Sequence, residues 1–317
     1  MSDYLYDKSG EDPEVAALEA SLGAYAHRAP LRAPAPRRRA RLLVGGAVAA
    51  FAVAAAAVLL LRTKGGGCEG GAAGFSFAVE GGAARCAGGL AARGKLPVGA
   101  WLETPHDAVA DVLVADIGAV RLFGGSRLRL LGTGPNEHRL ELAEGHLSAK
   151  VVAPPRLFVV DTPAAAAVDQ GCAYDLAVDA AGRTTLKVTS GAVTLVGAHR
   201  VAYVARGAEV VAARDRGPGT PVSSAAGAAL RAAVARFDAG DHSEAAVHEI
   251  AKLAGAGDTI TLWNLLGPSD GRARAAVDAR LEALASRPAT VSRADILAGK
   301  TDALDRWREA LDPIWQR

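Results

Sequence analysis

The residues best suited to chemistry in this chain are three cysteines and seven histidines. Cys172 lies in "VDQGCAYDLAV", residues 168–178, between a glycine and an alternating apolar run. A cysteine nucleophile needs a base to take its proton, and no histidine lies close in sequence. Catalysis would have to recruit a distant partner from His106, His138, His146 or His199. The bland alternative, a small half-buried residue at a strand start, needs no partner. Cys68 and Cys86 sit in a stretch rich in glycine and alanine. Metal binding is weakly supported there, because neither belongs to a CxxC pair and no histidine is near. In an oxidising compartment the two would bond if their Cα atoms approached within about 7 Å.

The other polar constellations point the same way. His242 and His248 are six apart, which on one helix places them on different faces. His138 and His146 could meet across a hairpin, but no third ligand accompanies them. The clusters "GGGCEGG" and "FGGS" lack the lysine and serine of a phosphate-binding loop and read as spacer and turn. "DGRARAAVDAR" alternates charge as a solvated helix face does. Trp263, Trp307 and Trp315 lie among apolar neighbours and are expected to be core or docking anchors. No catalytic residue, metal ligand or cofactor is therefore expected, and the chain is not expected to be an enzyme.

The elements that must position these residues begin with "LLVGGAVAAFAVAAAAVLLL", residues 42–61, which contains no charge. A helix rising about 1.5 Å per residue would span roughly 30 Å over that run, the thickness of a bilayer core. It is apolar on every face, which a surface helix in water does not tolerate. A cleaved signal would start near the chain terminus, whereas 41 residues precede this run. The expectation is a transmembrane helix in contact with lipid. Arg28, Arg32, Arg37, Arg38, Arg39 and Arg41 come before it, against Arg62 and Lys64 just after. This excess predicts a cytoplasmic N-terminus and an exported remainder, in the inner membrane with residues 65–317 periplasmic. Residues 65–317 carry 27 basic and 28 acidic side chains, so no nucleic-acid footprint is expected there.

Residues 1–41 contain one candidate helix, "DPEVAALEASLGAYAHR", with Asp12 as N-cap and Pro13 at its first position. Val15, Leu18, Leu22 and Tyr25 form an apolar stripe on it, a candidate surface for a cytoplasmic partner. "APLRAPAPRRR" reads as an extended linker. Residues 62–89 are expected to be a flexible spacer. Over 90–213 short runs of period two, broken by glycine, proline or asparagine, predict an all-β sandwich or roll. Tyr174, Leu176 and Val178 form one inward row, and Leu186 with Val188 another. Over 222–317 the apolar spacing becomes helical, for example Leu230, Val234 and Phe237, then Leu304, Trp307, Leu311 and Ile314. Four to six short helices are expected, packed as a small bundle or onto the β domain.

The ordered segments "LPVGAWLET", "ADIGAVRLFGGSRLRLL", "LELAEGHLSAKVV", "RLFVVDTPAAAAVDQGCAYDLAV" and "TTLKVTSGAVTLV", following a candidate membrane helix, resemble the FecR family of exported sensor domains. By position, Asp116 and Gly118 match the family's turn before a strand. Gly145 matches the glycine after "L-x-L-x-x-G", and Phe158 through Thr162 and Pro163 match "F-x-V-x-T-P". Gly171 matches the glycine of "G-T-x-F", with Cys172 in the threonine place and Tyr174 in the aromatic place. Gly191 and Val193 match the following "G-x-V". The resemblance implies a sensor that regulates a cytoplasmic partner such as a sigma factor across the inner membrane, with protein partners on one or both sides. It covers roughly residues 90–213. The N-terminal segment has no tryptophan and no HxxxCxxC zinc motif. The alternative function is an envelope scaffold in which residues 1–41 serve only for insertion.

Overall fold

The computed structural model describes Cys68 and residues 74–317. The membrane helix expected over 42–61 and the stripe of Val15, Leu18, Leu22 and Tyr25 lie outside the described residues. Among the described residues no helix is long and apolar enough to cross a membrane.

Eighteen strands precede six α-helices in this part of the chain. The strands are β1 (Gly74–Glu80), β2 (Ala84–Cys86), β3 (Gly89–Ala91), β4 (Arg93–Pro97), β5 (Trp101–Glu103) and β6 (Val109–Val114). Then come β7 (Gly118–Leu122), β8 (Arg127–Thr133), β9 (His138–Val151), β10 (Phe158–Asp161), β11 (Ala166–Asp169) and β12 (Ala173–Val178). The last are β13 (Thr184–Ser190), β14 (Ala192–Val196), β15 (Val201–Ala205), β16 (Ala208–Ala213), β17 (Gly217–Pro218) and β18 (Val222–Ser223). They build two sheets. The first runs β4, β1, β6, β7, β9, β12, β13, β16, with β17 and β18 on the outer edge of β16. The second runs β3, β2, β5, β8, β9, β10, β11, β14, β15. Every pairing is antiparallel except β9 with β10.

Strand β9 belongs to both sheets. Its first half pairs with β8 and β10, its second half with β7 and β12. Period-two runs broken at glycine predict two strands here, "HRLELAEG" and "HLSAKVV". One continuous strand of 14 residues forms because Gly145, at φ +99°, turns the chain from one sheet into the other without ending the ladder. A Cβ at that position would fall 2.2 Å from Ser126 Oγ. Leu128, Leu130, Leu140 and Leu142 of one sheet and Val112, Leu122, Leu147 and Leu176 of the other are all buried in one shared core. The alternation that marks them apolar in sequence is what turns them to one side of each strand.

The expected spacer over 62–89 ends earlier than the glycine content suggested. β1 and β2 fall inside it and β3 begins at its last residue; Phe75 and Phe77 recur at period two and both are buried in the core. Two strong inward side chains outweigh the weak β propensity of their glycine and alanine neighbours.

The helices are α1 (Ala228–Asp238), α2 (Glu244–Leu253), α3 (Thr259–Leu266), α4 (Gly271–Leu284), α5 (Arg293–Leu297) and α6 (Thr301–Trp315). Their own core holds Leu230, Val234, Phe237, Ile250, Val277, Leu281 and Trp307. The stripe at spacings of three and four supplies it, as expected of short helices held by tertiary packing. Ser243 caps α2 by accepting from the Ala246 amide at 3.2 Å. Helix α3, "TITLWNLL", carries no polar stripe and is buried on nearly every side, since it lies between the helical core and the β domain.

Candidate functional site

Cys172 carries no disulfide and is buried where β12 begins. Its thiol donates to Asp169 Oδ2 at 2.6 Å, and the Gly171 amide donates to Asp169 Oδ1 at 2.5 Å. Burial, reinforced by the Asp169 carboxylate, pushes the Cys172 thiol far above its ordinary range. Burial likewise raises the Asp169 carboxyl, although its hydrogen bonds from Cys172 and Gly171 oppose this. A thiolate is the reactive form of cysteine, so this environment suppresses nucleophilic chemistry. The Tyr174 hydroxyl points into the same region and finds no hydrogen-bond partner. Its own pKa is also raised, by burial first and then by Cys172 and Asp169.

The remaining positions of the sequence motif are turns and packing sites. Asp116 is exposed in the turn between β6 and β7, and Gly118 opens β7 opposite Val151 of β9. Phe158 is fully buried at the start of β10. Thr162 Oγ1 donates to the Ala165 carbonyl at 2.7 Å and accepts from the Ala165 amide, closing the turn that holds Pro163 between β10 and β11. Gly191, at φ +69°, lies so close to the Gly171 turn that a Cβ would sit 2.3 Å from the Gly171 carbonyl oxygen. The glycines of two separate motif segments therefore meet at one place, beside Cys172. Val193 is buried on β14, opposite Asp169.

Cys68 and Cys86 form a disulfide with Cα atoms 5.8 Å apart. Both are buried in the β core, and the Cys68 carbonyl accepts from the Lys95 amide at 2.9 Å. The chain just after residues 42–61 is thus tied covalently to β2.

The histidines are dispersed. His138 and His146 lie on the same strand, on either side of Gly145, rather than facing each other across a hairpin. His138 shares a hydrogen bond of 2.8 Å with Thr133 Oγ1, and His146 stacks on Phe123 with ring centroids 4.4 Å apart. Among the described residues no group of three or more His, Cys, Asp or Glu is placed to hold a metal.

The polar outer face of the second sheet carries Trp101 opposite Arg129, with the Arg127 and Arg129 guanidinium groups 4.1 and 4.7 Å from its ring centroid. Arg127 pairs with Glu103 at 3.1 Å, and Arg129 with Glu141. The charges on this face compensate one another, so it presents a mixed rather than a single-sign surface.

The helices are fixed to the β domain by the expected anchors Trp263 and Trp315 and by polar side chains to which the sequence assigned no role. Asn264 of α3 accepts from the Tyr203 amide at 3.0 Å and donates to the Tyr203 carbonyl at 2.9 Å. The Tyr203 hydroxyl donates to Asp312 of α6 at 2.7 Å, and its ring packs against Trp263 and Trp315. Arg206 donates to the carbonyls of Gln316 and Arg317, while Gln316 Nε2 donates to the Gly191 carbonyl. Trp263 and Trp315 touch both cores, whereas Trp307 is buried in the helical one alone. An asparagine in an apolar run, "LWNLL", was the one sequence signal for this contact.

No family model and no curated protein matches the chain. Two crystal structures of a protein from Parabacteroides distasonis, provisionally described as an anti-sigma factor, are similar to part of it at 18% identity and TM-score 0.33. The similarity covers 37% of this chain, and the chain spans 56% of the length of that protein.

Proposed function

We propose that this protein is a single-pass inner-membrane regulator whose exported, FecR-like β domain senses an envelope signal and passes it to a cytoplasmic partner, a sigma factor being the partner class the family resemblance implies. The observation that carries the exported placement is the Cys68–Cys86 disulfide, buried in the β core seven residues after the uncharged run ends. Structural disulfides persist in oxidising compartments and are rare in the cytoplasm. The arginine excess before the run supports the same orientation. The role is one of binding: Cys172 is held away from its reactive form, and the motif residues act as turns and core contacts.

The apolar stripe of Val15, Leu18, Leu22 and Tyr25 is the proposed contact with the cytoplasmic partner. The test is a crosslinked pull-down from native membranes, comparing the full chain, a version lacking residues 1–41 replaced by an unrelated basic anchor, and Leu18→Asp. Loss of a sigma factor from both altered chains at unchanged membrane levels is the expected result. Retention of the same exported proteins by all three, with no cytoplasmic protein captured, would replace the regulatory reading with the envelope scaffold.

A further inference from the structure

The outer face of the second sheet holds a groove beside Trp101. Leu102 is fully buried, so the alternation along β5 turns Trp101 and Glu103 outward. Arg127 and Arg129 both reach the Trp101 ring from β8 and hold it from that side. β2 flanks β5 on the other side, and its register brings the β2–β3 turn, Ala87 and Gly88, next to Trp101. There an open groove of about 340 Å³ is walled by the indole and by Ala87, Gly88, Gly99 and Ala100. That volume lies at the small end of the range for ligand pockets. Gly88 and Gly99 have φ of +87° and +86°, a backbone that favours glycine, and a Cβ on either would meet nothing within 4 Å. Neither turn therefore crowds the ring. Arg85 and Glu103 close one end of the groove. Arg127 holds Glu103 at 3.1 Å, whereas Arg85 approaches it only to 3.9 Å, beyond hydrogen-bond length. The Arg85 guanidinium thus keeps donors for a ligand, in the planar fork that suits a carboxylate.

We propose that this groove binds an acidic saccharide, with one sugar ring lying against the Trp101 indole and a carboxylate on or beside that ring pairing with Arg85. A pyranose offers a face of C–H groups to the indole and hydroxyls at its rim to Glu103 and the turn backbone. That matches an aromatic wall bordered by a few convergent polar groups. An extended peptide would instead need a row of unpaired strand amides, and the groove presents two glycine turns in place of such a row. This ligand class gives the sensing role proposed above a chemical identity. It requires no particular cytoplasmic partner: binding is read at Trp101 itself, so its failure and the failure of the sigma-factor reading are separate results.

The test is heteronuclear NMR of the full chain in zwitterionic, sugar-free detergent micelles, following the four tryptophan indole N–H signals. Trp101→Phe assigns the Trp101 signal, and the signals of Trp263, Trp307 and Trp315 report that the fold is intact. The probes are D-glucuronic acid and N-acetylmuramic acid, their neutral counterparts D-glucose and N-acetylglucosamine, acetate, and an acidic tripeptide. The expected result is a saturable shift of the Trp101 signal by at least one of the acidic sugars with a Kd of about 1 mM or tighter, its neutral counterpart binding at least about tenfold more weakly. Arg85→Gln, at an exposed position, should abolish that preference. No saturable shift with either acidic sugar, an equal response to acetate, tighter binding of the tripeptide, or a preference retained in Arg85→Gln would overturn the proposal.

Discussion

Replacing Cys68 by alanine opens the disulfide that ties the chain before β1 to the β core. The bridge joins residues 18 apart, and Cys86 remains as a small buried side chain when its partner is lost. Closing a loop of that length in the unfolded chain is worth about 3 kcal/mol on the chain-entropy account of disulfides. For a folded unit of this size each kcal/mol moves Tm by roughly 2–4 °C, so the expected fall is about 6–12 °C. The assay is thermal unfolding of the purified chain followed by far-ultraviolet circular dichroism, oxidised wild type against Cys68→Ala, with wild type in reductant as a second comparison. Cys68→Ala and reduced wild type should melt together, below the oxidised protein. A shift of under about 1 °C would refute the reasoning, because a constraint on the unfolded chain must appear as lost stability.

Gly145→Ala should destabilise the unit by on the order of 3 kcal/mol, from a strained positive φ and the 2.2 Å approach to Ser126 Oγ, read as a lower urea midpoint. Asp278 is fully buried and accepts from Arg287 at 2.7 Å and Arg293 at 3.0 Å. Removing it leaves the buried Arg287 with the exposed Glu282 as its carboxylate partner, so Asp278→Ala should cost about 1.5–3 kcal/mol in the same titration, the loss of charged hydrogen bonds rather than of all compensation. Asp169 tests the buried cluster through pH. Its folded pKa is raised above the unfolded value, mainly by burial, so the stability linked to it is fully present below the ordinary carboxylate pKa and is lost as pH rises through the folded pKa. Asp169→Asn should flatten that part of the stability profile, and an unchanged slope in the variant would contradict the assigned cause.

How much of this was legible in the sequence depended on whether one period dominated a segment. Tyr174, Leu176 and Val178 on β12, and Leu186 and Val188 on β13, alternate cleanly and are buried as read. The stripes of α1, α2, α4 and α6 were equally plain. Strands β1 to β3 were obscured by glycine and alanine, which signal flexibility unless a distant partner holds them; here the disulfide and the pairing of β1 with β4 and β6 do so. β9 was divided in two because a glycine inside a strand usually ends it, and its tolerance here depends on a second sheet that local pattern does not contain. Helix α3 has no stripe because it is buried on both sides, so periodicity could not mark it. The Asn264 contact joins residues 61 apart, and no local pattern encodes such a pairing. Around Cys172 the local sequence shows only that no histidine is near; that its thiol faces Asp169 depends on the fold.

The proposal that the β domain is exported on an N-terminal membrane anchor is tested most directly in spheroplasts. Spheroplasts expressing the full chain would be treated with an external protease, and in parallel denatured and alkylated with a mass-tagged maleimide, with and without reductant. The expected result is digestion of residues beyond the anchor and one tag per chain, on Cys172, without reductant, rising to three with it. A chain protected from protease, or carrying three tags without reductant, would place the β domain in the cytoplasm and contradict the account.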